Sequence, residues 1–112
     1  MDPQPSRLHV EVQGRALALD GVLDSHTADR LDETLERLGD DGDVDVDFSA
    51  VTFVDSSGLR AILAANGRLS AVGHELRLVA PQEPVRRLLA ITNLDAYLRV
   101  VEDPGLGRAG RR

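Results

Sequence analysis

A chain of 112 residues has the length of one domain with one core, enough to bury roughly two thirds of the surface it exposes when unfolded. It has no cysteine, which excludes disulfides and thiolate chemistry and fits a reducing compartment, the cytoplasm. Its formal net charge is −6, with 19 acidic residues against 13 basic ones that are all arginine, a balance that repels phosphate backbones and argues against nucleic acid as a direct partner.

Residues 1–6 read as a Pro-containing leader without the apolar block of a signal peptide, and no stretch approaches the ~18 apolar residues of a membrane span. The following segment, RLHVEVQGRALAL, predicts a hairpin turning at Gly14-Arg15, with Leu8, Val10 and Val12 alternating against His9, Glu11 and Gln13. DSHTADRLDETLERLG predicts a helix. Its apolar residues Ala28, Leu31, Leu35 and Leu38 recur at intervals of three and four, Asp24-Ser25 are capping candidates, and Gly39 is the stop. DVDVDFSAVTFV starts as a strand with Val44, Val46 and Phe48 on one face and Asp43, Asp45 and Asp47 on the other. A second helix is expected from about Ser56 to Val72, with Leu59, Ile62, Leu63, Leu69 and Val72 buried. HELRLVA predicts a strand, PQEPVRRLLAIT a helix starting near Pro84, and YLRVVED a last short strand. Gly, Pro and Arg in residues 104–112 predict a disordered basic tail.

The order ββαβαβαβ predicts an α/β fold: a mixed, mostly parallel sheet of about five strands with an N-terminal hairpin. Polar alternation in three strands and right-handed crossovers put the helices mainly on one face. Ligands of such sheets meet the carboxyl ends of the parallel strands. If the second and third strands are neighbours, Asp24 shares one rim with Asp55-Ser56-Ser57-Gly58.

That quartet has a bland reading and a chemical one. One capping residue is enough for one helix. Two serines beside an aspartate exceed the need, and Gly58, at a cost of roughly 1 kcal/mol inside a helix, points to close approach by something outside. A serine hydrolase is poorly supported, since no G-x-S-x-G elbow is present and only His26, among His9, His26 and His74, can approach the rim. The acidic run DDGDVDVD at 40–47 fails as a calcium loop: counted from Asp43, the positions that need Gly and Glu hold Phe48 and Val54. Strand alternation explains these aspartates as a solvated stripe facing Arg77, so neither a metal nor a cofactor is expected.

The segment DFSAVTFVDSSGLRAIL, preceded by LDGVLDSHTADRL and followed by VGHELRLVAPQEPVRRLLAITNLDAYLRVVED, resembles the STAS domain of bacterial anti-anti-sigma factors over residues 7–103. D-S-S-G-L is the most specific element; Gly21-Val22-Leu23-Asp24 and Ile91-Thr92-Asn93-Leu94 support it. The resemblance implies a non-enzymatic regulator of transcription in stress response or sporulation. Its unphosphorylated form would bind an anti-sigma factor that is also a serine kinase and so free a sigma factor. Phosphorylation of Ser57 would end binding, and a serine phosphatase would restore it. The partner surface so implied is Asp24, Asp55, Ser56, Ser57, Gly58 and Leu59, with Ser56 as the cap or a first-turn residue. The alternative is a STAS scaffold or transporter-associated module.

Overall fold

A computed structural model describes residues 7–102. The expectations for residues 1–6 and 104–112 lie outside those residues. The elements are β1 (Leu8–Gln13), β2 (Ala16–Leu23), α1 (Ala28–Leu38), β3 (Val44–Val54), α2 (Ser56–Ala71), β4 (Leu76–Val79), α3 (Glu83–Ile91), a 3-10 turn (Leu94–Ala96) and β5 (Arg99–Val101). The sheet order is β1-β2-β3-β4-β5, with β1 antiparallel to β2 and every later pair parallel. Each parallel connection passes through a helix, as parallel neighbours require.

One face of the sheet forms the core. Leu17, Leu19, Val44, Val46, Phe48, Leu76 and Leu78 meet Leu31 and Leu35 of α1, Ile62, Ala65 and Leu69 of α2 and Val85 and Leu89 of α3. The second helix corrects one expectation. α2 ends at Ala71, and Val72 leaves the helical backbone as its C-cap and is 57% exposed, so Ala61 and Ala65 complete the buried stripe instead. The last strand is shorter than YLRVVED, because Tyr97 closes the 3-10 turn and is also exposed.

The other face is polar, as the alternation predicts. Arg77 pairs with Asp43, Asp45 and Glu75. The Glu75 amide donates to Asp43 Oδ1 at 3.0 Å and, with Arg77 beside it, holds that carboxyl below its ordinary range. These aspartates are thus engaged by an arginine and by backbone.

Arg15, the second turn residue of the hairpin, ties it to the end of α1. Its guanidinium donates to the carbonyls of Leu38, Gly39 and Gly42 at 2.7 to 2.9 Å and to Asp43 at 3.2 Å. The carbonyls at a helix carboxyl end lack intrahelical donors, and a cation complements the negative end of the dipole. Arg15→Ala is expected to cost about 1–2 kcal/mol, read as a lowered urea midpoint with an unchanged slope.

Candidate functional site

A bulge sets the rim. The β2–β3 register shifts between Gly21 and Val22, after which Leu23 lies opposite Val54 and both strands end together. Gly21 sits at φ +126°, where a Cβ would lie 2.4 Å from the Arg7 carbonyl oxygen, so glycine is required. That carbonyl accepts from the Val22 amide at 2.8 Å. The chains leaving β2 and β3 are therefore side by side, and the Asp55 amide donates to Leu23 O at 3.1 Å. Asp24 and the serine pair share one rim, as neighbouring strands require.

Asp55 is the cap of α2. Its Oδ1 accepts from the amides of Ser57 at 2.9 Å and Gly58 at 3.3 Å, satisfying two donors that lack intrahelical partners and placing negative charge at the positive end of the helix. Ser56 and Ser57 are the first two helical residues; Ser56 is exposed and Ser57 partly exposed. Of the two roles expected for Ser56, the structure assigns the first-turn position.

Gly58 and Leu59, expected on the partner surface, are buried. A Cβ on Gly58 would lie 2.5 Å from Leu23 Cγ and 3.0 Å from Leu23 O, so what approaches this glycine is β2 of the same chain and not an outside molecule. Leu59, 5% exposed, belongs to the core. These two residues seat the helix end against the sheet, and the accessible rim is left to Asp24, Asp55, Ser56 and Ser57.

On the Asp24 side, α1 starts at Ala28, later than Asp24-Ser25 predict. The reason is a locked turn. The Thr27 hydroxyl, in a buried residue, donates to Val22 O at 2.8 Å and accepts from the Asp24 amide at 2.9 Å, while Asp24 Oδ1 accepts from the His26 amide at 2.9 Å. The Asp24 carboxylate is held in place, its side chain 15% exposed. His26 stands at this rim, with Nδ1 3.9 Å from Asp24 Oδ1. His9 lies beside Glu11 on β1, and His74 beside Asp43 before β4.

Phe53 was not singled out by sequence. It is 52% exposed, two residues before Asp55 and opposite Val22. Alternation along β3 buries Val44, Val46 and Phe48 and then changes phase, so that Val51 and Val54 face inward and Thr52 and Phe53 face out. An apolar run such as VTFV carries no signal of that change.

The STAS domain family model matches residues 7–105. The chain belongs to the STAS domain family. This STAS domain is 31% identical over 84 residues to the anti-sigma-B factor antagonist of Staphylococcus aureus, a match covering 73% of the chain and 78% of the relative, which places it with the anti-sigma factor antagonists. Its fold is shared by an anti-sigma factor antagonist of Mycobacterium paratuberculosis, with 23% identity, a TM-score of 0.76 and coverage of 97% of this chain and 96% of that one. It is shared too by the Bacillus cell fate determinant SpoIIAA in its phosphorylated form, with 20% identity, a TM-score of 0.64 and coverage of 96% and 100%. Among the described residues of the STAS domain, no helix is long and apolar enough to cross a membrane.

Proposed function

We propose that this STAS domain is a cytoplasmic anti-sigma factor antagonist, without catalytic activity of its own, switched at Ser57. With Ser57 unmodified, the rim of Asp24, Asp55, Ser56 and Ser57 binds an anti-sigma factor and thereby frees a sigma factor. That partner is also an ATP-dependent serine kinase; it transfers phosphate to the Ser57 hydroxyl and releases the product, and a serine phosphatase reverses the modification. Phe53 supplies the apolar anchor that a polar rim needs for affinity.

The observation that carries this reading is the position of Ser57. It is a partly exposed hydroxyl in the first turn of a capped helix, beside a neighbouring carboxylate-bearing loop. A helix amino end tolerates a phosphate, because the positive end of the dipole favours an anion there. The relative of known structure in a phosphorylated form supports a modification of this kind.

The test is phosphate incorporation. With ATP and the ATPase recovered from lysate on the immobilised domain, the wild-type chain is expected to gain one phosphate by mass spectrometry and Ser57→Ala none, while Ser57→Ala still captures the ATPase. Stoichiometric phosphate on the alanine variant would overturn the assignment of Ser57. Recovery of a membrane transporter complex in place of an ATPase would favour the scaffold reading.

A further inference from the structure

We propose that the protein self-associates through β1, two copies pairing antiparallel about Val10 to join their sheets edge to edge. Among the described residues β1 is a terminal strand of the sheet, six residues long against three for the opposite edge strand, β5. Exposed edges are commonly blunted by proline, lysine, bulges or shortness. β1 has no proline and a single charged residue, Glu11, and its ladder with β2 runs without a register shift.

The direction of its free groups follows from the hairpin. In an antiparallel pair, bonded and non-bonded residue pairs alternate. Arg7 O accepts from Val22 N, so Arg7 and, by alternation, His9, Glu11 and Gln13 bond inward to β2. The amides and carbonyls of Leu8, Val10 and Val12 therefore point outward. Two copies antiparallel about Val10 bring these groups together: Val10 meets Val10, and Leu8 meets Val12 in both directions. On the core side the apolar row then continues from one copy to the next and covers Val12, which is 51% exposed. On the polar side His9 of each copy lies opposite Glu11 of the other, in a non-bonded pair where side chains are closest.

Strand overlap and side-chain polarity together select this register. Sliding the strands so that Val10 meets Val12 sets Glu11 against Glu11, and sliding them so that Leu8 meets Val10 sets His9 against His9. Pairing about Val10 overlaps Leu8–Val12 without setting like polar side chains opposite each other, whereas the slide that sets Leu8 against Val10 brings Arg7 opposite Glu11 but overlaps only Leu8–Val10. The arrangement is isologous, as closed dimers are. Because the two-fold axis reverses strand direction, the two Ser57 rims lie at opposite ends of the joined sheet and both stay open. A strand pair of this size falls among small, weak interfaces.

Sedimentation equilibrium of the full chain tests this. The mass is expected to rise from 12.1 kDa toward twice that value with increasing concentration. His9→Glu, which sets two carboxylates opposite Glu11, should lower self-association at least tenfold. Glu11→Arg, on the same exposed side, should independently weaken it, and the double variant His9→Glu with Glu11→Arg should restore it by setting a carboxylate opposite a guanidinium. Far-UV spectra identify folded variants. A protein that stays monomeric to about 1 mM, where any free energy is below about 4 kcal/mol, would overturn the proposal. So would a dimer indifferent to both single changes, or one that the double change fails to restore.

Discussion

Phosphorylation of Ser57 is expected to lower affinity for the anti-sigma partner on the order of a hundredfold while leaving the fold unchanged. Phosphate adds about −1.5 to −2 charges to a rim that already holds Asp55 as the helix cap and Asp24 in the adjoining turn. At ~6 Å and an effective dielectric near 20, each added charge pair with an acidic partner group is worth ~3 kcal/mol before screening, and a hundredfold loss corresponds to about 2.7 kcal/mol. Arg60, one turn along α2 from Ser57, is exposed and offsets part of this charge without cancelling it. Refolding is not needed for such a switch, because the helix amino end stabilises an anion. Ser57→Asp should reduce binding less than phosphate does, since it carries less charge and fewer acceptors, and the reduction should shrink as salt is raised. Amide chemical shifts give the decisive measurement. Changes confined to the surroundings of Asp24 and residues 54–61 support local repulsion, whereas changes spread through β4 and β5 would point to a conformational mechanism.

Gly58→Val is expected to destabilise the domain by about 3 kcal/mol, a fall in melting temperature of roughly 10–20 °C for a domain of this size. Any Cβ at this position falls 2.5 Å from Leu23 Cγ and 2.9 Å from Cδ2, and Leu23 is fully buried. A leucine packed on all sides cannot swing clear, so the clash passes to the helix end and to the backbone at Leu23 O, 3.0 Å away. The small gain in helix propensity on replacing glycine does not offset this. Leu23→Ala alone should cost about 2–5 kcal/mol through the cavity it leaves. Combined with Gly58→Val, it should cost distinctly less than the two changes added, because the new side chain occupies the space that Leu23 vacates. Full additivity by chemical denaturation would show that Gly58 is constrained by something other than Leu23.

The sequence alone determined the element order, the hairpin turn at Gly14-Arg15, the inward face of α1 and that of β3 from Val44 to Phe48, and the residues of the D-S-S-G motif. Each of these is written in neighbouring positions: in periods of two or three to four, in turn residues, in short strings. Tertiary structure decided the rest. Strand order, which makes Leu23 and Val54 neighbours, depends on how the crossovers pack and not on any one strand. The start of α1 was delayed because the buried Thr27 hydroxyl bonds back to Val22 and holds Asp24–Thr27 in a turn, a tertiary constraint that overrides the capping preference of Asp24-Ser25. Both Ser56 and Asp55 had the chemistry of a cap, and the choice fell to Asp55 because β3 delivers it in an extended conformation with its carboxylate under the first amides. Gly58 read as room for an outside molecule because its true neighbour, Leu23, is distant in sequence. Phe53 read as one more apolar strand residue, and only the phase change along β3 turns it outward beside Asp55, where a partner can reach it.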